Sequence, residues 1–249
     1  MLQHLAPALP WKPLQLAMPD FSNRSYQKEL LDGDDIPFED IKQNMKELNT
    51  INQLLGGHAI SILGLKYLLP AKKKALLHVA EIGCGGGDNL KAIEKYCSSK
   101  QQPIKFTGID IKASCIEFAG QQYSGMNTNW IVSDYKKVIF TDKPHIIFSS
   151  LFCHHFSNEE IIFMLGWMKE NSSIGFFIND LHRHRIAWYL IKVITGIFSK
   201  SYLVKNDAAV SVSRGFTKKE WQQLLAEAGI ENYSLQWKWA FRFLLVVKK

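Results

Sequence analysis

The feature that most constrains this chain is a short apolar run, residues 76–82, that breaks into Gly83, Cys84, Gly85, Gly86 and Gly87. A run of that length, without polar alternation and ended by glycines, reads as a strand buried on both faces. Such strands occur where helices cover both sides of a parallel sheet. In open sheets of that kind, ligands bind beyond the carboxyl ends of the strands. Small residues there let the backbone approach a ligand closely, and the following helix offers unpaired N–H groups. The glycine loop therefore marks a binding site before any ligand is considered.

The pattern on either side supports that architecture. After the loop, helical periodicity over 89–96 and 113–123 alternates with strands at 104–111 and 130–133. A fourth strand follows at 146–149. Ser157 and Glu160 form a capping box that opens a helix through Met168, and a fifth strand spans 174–178. Thr217 and Glu220 form a second capping box, and Gly229 ends that helix. Residues 233–239 and 242–247 read as an antiparallel pair. The expected fold is α/β, a Rossmann-like seven-stranded sheet of five parallel strands plus a C-terminal antiparallel hairpin.

Upstream, Ile41, Met45, Leu48, Ile51, Leu54 and Leu55 recur at helical spacing, and Gly56-Gly57 splits the segment into two helices. This divides the chain into an extended arm (1–22), an N-terminal helical cap (23–72) and the main domain (73–249), which begins at the break containing Pro70 and Lys72 to Lys74. Residues 181–216 do not fit the alternation. They are expected to form an inserted apolar helix, at 186–198, and a loop. A helix apolar nearly all round buries both faces. It reads either as a core helix under the N-terminal cap or as a lid over a substrate pocket containing Trp188.

The loop spacing discriminates between ligands. A dinucleotide fingerprint, GxGxxG, would place its third glycine at position 88, where this chain has Asp88. A carboxylate beside a pyrophosphate is repelled. The observed pattern, E-x-G-x-G-x-G from Glu81, resembles motif I of class I S-adenosylmethionine (SAM)-dependent methyltransferases, whose sulfonium cofactor is positive. Asp110 ends the second strand, where an acid can accept both ribose hydroxyls of a nucleotide. Asp134 ends the third, where it can accept from an adenine amine, with Tyr135 over the ring. The alternative is that both acids only cap the elements that follow them.

Residues 149–156, Ser-Ser-Leu-Phe-Cys-His-His-Phe, resemble the segment after strand four in small-molecule methyltransferases of the ubiquinone/menaquinone-biosynthesis type. The resemblance is good over roughly residues 76–180. It implies SAM as cofactor, S-adenosylhomocysteine as product, and Glu81, Gly83, Gly85, Asp110, Ile111, Asp134, Tyr135 and Ser150 as contacts. More loosely, residues 85–88, 151–156 and 179–184 resemble bacterial methyltransferases encoded beside type III polyketide synthases. That implies a small phenolic, polyketide-like or lipophilic acceptor, with O-methylation favoured.

Methyl transfer is an in-line displacement that gains from aligning and desolvating the acceptor. A phenol also needs a base, and imidazole suits neutral pH. His154 and His155 are the catalytic candidates, either as base or as groups orienting the acceptor. His182 and His184 border the same cleft, and His182 is assigned to the substrate pocket. Each histidine could instead pack and bond to backbone. Asp180, His154, His155, His182 and His184 are metal-ligand types, but they lack any HExxH-like spacing, so no metal is expected.

Composition narrows the rivals. The net charge of +7, from 30 Lys and Arg against 23 Asp and Glu, raises an RNA-directed methyltransferase as an alternative. The [D/N]-P-P-[Y/F] motif of base-amine methyltransferases is absent at Ser149-Ser150-Leu151-Phe152, so a nucleic-acid partner is not favoured. A SAM-binding module without catalysis is the other alternative. Four cysteines without CxxC spacing suggest reduced thiols, and residues 1–20 do not resemble a signal peptide. The expected location is cytoplasmic, without a transmembrane segment.

Overall fold

The computed structural model describes residues 19–33, 35–69 and 75–249. Most of the expected arm, residues 1–18, and the basic break at 70–74 lie outside the described residues. Two helices precede the sheet: α1 (Phe38–Leu54) and α2 (Gly57–Leu68). Gly56 between them is left-handed, with φ 76°, a conformation that costs glycine little. Gly64 lets α2 lie directly on the sheet, because a Cβ there would stand 2.5 Å from the Phe177 ring.

Seven strands form one sheet: β1 (Leu77–Ile82), β2 (Ile104–Asp110), β3 (Thr128–Val132), β4 (Ile146–Ser150), β5 (Gly175–Leu181), β6 (Ser234–Lys238) and β7 (Arg242–Lys248). Their order is β3-β2-β1-β4-β5-β7-β6. The first five are parallel, and β7 enters antiparallel between β5 and β6. This is the expected class I arrangement. Every residue of β1 is buried, His78 and Glu81 included. Helices α3 (Asp88–Ser99), α4 (Ala113–Gln122), α5 (Asn158–Asn171) and α8 (Lys218–Glu227) connect the strands. Both expected capping boxes are formed, at Ser157/Glu160 and Thr217/Glu220.

The sheet has a core on each face. On one, Met164, Met168, Trp221 and Leu225 pack on Ile147 and Phe176. On the other, Leu65, Leu68, Leu90 and Ile93 pack on Val79 and Phe148. Strand order reverses between β1 and β4, so their carboxyl ends open a crevice at the switch point.

The insert departs from expectation in two ways. It contains two helices, α6 (Arg185–Phe198) and α7 (Tyr202–Arg214), rather than a helix and a loop. Nor does α6 bury both faces: among its residues only Ala187, Trp188 and Thr195 are buried, while Ile186, Tyr189, Leu190, Val193, Ile197 and Phe198 are at least half exposed. Apolar composition sets what a helix could bury. The neighbours available set what it does, and here α7 takes the interior place. Among the described residues, no helix is long and apolar enough to cross a membrane.

Candidate active site

A cavity of about 490 Å³ lies at the carboxyl ends of the central strands, between the glycine loop, α1, α6 and α7. One end is built on the loop. Gly83, Gly85 and Gly87 all have positive φ. The Gly85 N–H donates to Asp110 Oδ2 at 2.9 Å and the Lys112 N–H to Oδ1 at 2.9 Å, so Asp110 fixes the loop and still borders the cavity. Burial raises the Asp110 carboxyl above its usual range.

Two buried groups at the cavity each leave one atom without a partner. Glu81 is fully buried, and its Oε2 accepts no hydrogen bond. Burial, then the nearby Asp88 and Asp110, pushes its carboxyl well above the usual value. Arg242, on β7, donates from Nη2 to Asn52 Oδ1 at 2.9 Å, but its Nη1 is unpartnered. Burial brings its guanidinium down to about 10. An unpaired buried donor or acceptor costs about 1–3 kcal/mol, more when charged. An orphaned acid and an orphaned base bordering one cavity therefore suit a zwitterionic ligand.

The other end is made by the His-His segment. Asp180, at the end of β5, accepts the N–H groups of Phe152 (3.1 Å) and Cys153 (2.7 Å) and, on Oδ1, His154 Nδ1 at 2.7 Å. The opposite ring nitrogen, His154 Nε2, stands 3.5 Å from Glu29 Oε1. His155 places Nδ1 3.2 Å from Asp32 Oδ1 and Nε2 3.9 Å from Glu29 Oε2. Burial alone would lower the His154 pKa; Asp180 and Glu29 together bring it up to about 9. The same contacts hold Glu29, Asp32 and Asp180 below the usual carboxylate range despite burial. Two buried arginines clamp the segment's backbone. Arg214 donates to the His154 and His155 carbonyls (3.0 and 2.9 Å), and Arg24 to that of Phe156 (2.9 Å). Leu151 sits at φ 54°, a strained position for a branched residue, and this turn delivers the segment to the cavity.

Of the residues singled out from sequence, Glu81, Gly83, Gly85, Asp110, Ile111, Ser150, His154 and His155 line this cavity. Four others do not. Tyr135 is a core residue, edge-on to Trp167 at 5.2 Å, because its ring completes the aromatic packing under Phe152 and Phe156. Asp134 caps the following turn by accepting the Lys136 N–H at 3.0 Å, the alternative raised for it. His182 stacks among Phe241 and Phe243. Trp188 turns inward to meet Phe21, leaving Ala187, Leu190, Ile191 and Ile194 as the α6 residues at the cavity. His184 caps α6 by accepting the Ile186 N–H at 3.2 Å. Sequence reasoning missed Glu29, Asp32, Asp180 as the histidine anchor, and Arg242. No local motif marks them, since each meets the site only through tertiary folding.

The family model described as a methyltransferase domain matches residues 79–170. That stretch is similar to methyltransferase domains. The glycine loop, Asp110 and the His-His segment all fall within the matched stretch, whereas Glu29, Asp32 and Arg242 come from outside it. No curated protein matches the chain. Among solved structures, the chain is similar to the plantazolicin methyltransferase BpumL in complex with S-adenosylhomocysteine. That match has 18% identity, covers 84% of this chain and 90% of that one, and has a TM-score of 0.63. BpumL in complex with a triazolic desmethylPZN analog and S-adenosylhomocysteine gives 19% identity over the same shares and a TM-score of 0.65. Human N-acetylserotonin methyltransferase in complex with SAM gives 14% identity, 86% of this chain, 56% of that one and a TM-score of 0.59. At these identities the likeness establishes the class I methyltransferase fold.

Proposed function

We propose that this chain is a SAM-dependent methyltransferase acting on a small, hydrophobic or phenolic acceptor, with oxygen as the methylated atom. The observation that carries the cofactor is the orphaned pair at the glycine-loop end. Glu81 suits the α-ammonium of the methionine moiety and Arg242 its carboxylate. The surplus of acid around the loop, Glu81, Asp88 and Asp110, suits a sulfonium and opposes a pyrophosphate. Asp110 and Ile111 are then the residues for the nucleoside. S-adenosylhomocysteine or SAM occupies the solved neighbours named above.

The acceptor end supports the substrate class. Leu48, Ile51, Leu190, Ile191, Ile194 and Phe241 give it apolar walls, while polar groups converge at Glu29, His154 and His155. A pocket with a few convergent polar groups in an apolar wall orients a lipophilic ligand by one functional group. His154 and His155 hold and activate that group, a hydroxyl. The hydroxyl proton passes to His155 as the oxygen bonds to the methyl carbon; the methyl–sulfur bond breaks, and its electron pair stays on sulfur. Turnover of labelled SAM against a panel of phenols and alkylresorcinol-like lipids tests this reading, alongside calorimetry with SAM, S-adenosylhomocysteine and NAD. Binding of NAD but not SAM would refute it.

Two results are expected. Replacing His155 with alanine should lower turnover by about 10²–10⁴-fold and leave SAM affinity within roughly twofold; His154→Ala should do the same, with added loss of stability from its burial. Unchanged turnover with intact SAM binding would remove both histidines from the mechanism. The second concerns pH. Burial raises the free Glu81 carboxyl well above its ordinary range, and an ammonium partner favours its ionised form. SAM affinity should therefore rise with pH below the titration of an α-amino group near ~7.7–8.0, with proton uptake by buffer on binding. Glu81→Gln should flatten that slope and weaken binding about tenfold, roughly 1.4 kcal/mol. A pH-independent affinity unaffected by Gln would dismiss the ammonium contact.

A further inference from the structure

We infer that Glu29, His154 and His155 form a binding site for one divalent metal ion of the zinc or cobalt class at the acceptor end of the cavity. The inference rests on the reading that this cluster meets the acceptor, and it specifies how. One ligand atom from each residue falls within a sphere where all lie no more than 4.8 Å apart. The closer separations, 3.5 Å from His154 Nε2 to Glu29 Oε1 and 3.9 Å from His155 Nε2 to Glu29 Oε2, compare with about 3.0–3.6 Å expected between ligands ~2.1 Å from one ion. Only small side-chain rotations separate the two.

The surroundings are those of a metal centre. A ligating imidazole usually donates its other N–H to a carboxylate, which fixes the tautomer and turns the free lone pair toward the ion. Both histidines have a carboxylate at Nδ1, and an ion would take the place of the proton that His154 Nε2 directs at Glu29. Asp180 takes His154 Nδ1 at 2.7 Å, and Asp32 takes His155 Nδ1 at 3.2 Å. Each carboxylate is itself anchored, Asp180 by two backbone N–H groups and Asp32 by Arg214 at 3.2 Å. The third ligand is steadied as well, since the Ser211 hydroxyl donates to Glu29 Oε1 at 2.7 Å. A plain ion-pair network needs no such paired carboxylate backing for each ring. Two imidazoles and one carboxylate favour zinc, cobalt or ferrous iron over magnesium, which prefers oxygen ligands. Three protein ligands leave a coordination position open, as in catalytic rather than structural sites. All three residues line the cavity, so that position would receive water or the acceptor oxygen.

The test uses the full chain stripped with chelator, titrated with Co²⁺ and with Zn²⁺ in the absence of SAM. One equivalent should bind, with the visible absorption of Co²⁺ in a nitrogen–oxygen site. Glu29→Gln and Asp32→Asn, both near in size to the native side chains, should weaken binding by tenfold or more, while His182→Ala, whose ring lies outside the cavity, should leave it unchanged. Calorimetry with SAM on the same samples separates the two claims. SAM binding with less than 0.1 equivalent of metal, or equal metal binding in the Glu29→Gln protein, overturns the metal site and leaves the methyltransferase reading standing. Failure to bind either overturns both.

Discussion

Gly83→Ala is expected to abolish measurable SAM binding and to destabilise the protein by about 2–5 kcal/mol. Two costs add. Gly83 has φ 66°, and an L-residue in that left-handed conformation loses roughly 1–2 kcal/mol. A Cβ would also stand 2.1 Å from the Phe152 ring. That ring cannot step aside, because Phe156 packs on it at 4.8 Å and Tyr135 at 6.4 Å, so overpacking adds about 1–3 kcal/mol. Relief requires the loop to lift, which takes Gly85 away from Asp110 and Glu81 away from the cofactor. Gly85→Ala provides the contrast. Its Cβ meets nothing closer than Met45 Sδ at 3.6 Å, so only backbone strain opposes it, yet it borders the binding cavity. It should lose SAM affinity with a small loss of stability. Chemical denaturation with calorimetry on both variants reads the difference; a Gly83→Ala protein that binds SAM normally would show that Phe152 and the loop move freely.

The second large effect is at Asp180. Asp180→Ala should lower stability by about 3–5 kcal/mol, the range for removing one partner of a buried ion pair. For a chain of this size that is on the order of 10 °C in Tm. The carboxylate accepts two N–H groups of the His-His segment and faces His154, so its loss leaves buried donors unpaired beside an imidazolium that keeps only Glu29 as counter-charge. Turnover should vanish with the geometry of His154. Asp180→Asn, similar in shape but neutral, should recover part of the stability and little of the turnover. A Tm within 2 °C of the parent for Asp180→Ala would mean the segment is held chiefly by the arginine clamp from Arg24 and Arg214.

The architecture was legible because its signals are local. The run at 76–82, the two capping boxes and the split at Gly56-Gly57 each follow from short-range periodicity or backbone preference, and each element formed where those signals lie. The glycine-loop end of the cavity was legible for a related reason: Glu81 and Asp110 sit on adjacent parallel strands and Gly83 and Gly85 on the loop that follows β1, so register brings them together. Adjacency misled at Asp134 and Tyr135. They follow the strand next to Asp110, but a turn can aim its side chains at the core as easily as at the ligand, and Trp167 decided for the core. The count of apolar residues misled at α6, where it could not state that α7 would take the interior position.

The sequence by itself determined the sheet, its glycine loop and the His-His segment, since periodicity, capping and spacing act over a few residues. Only the tertiary structure decided what the two histidines face. Glu29 and Asp32 lie more than a hundred positions before them, Asp180 lies on the next strand, and Arg242 comes from the last strand, inserted beside β5. No spacing rule connects residues whose proximity depends on α1 and α7 closing over the strand ends, so the acceptor end of the cavity exists only in the fold.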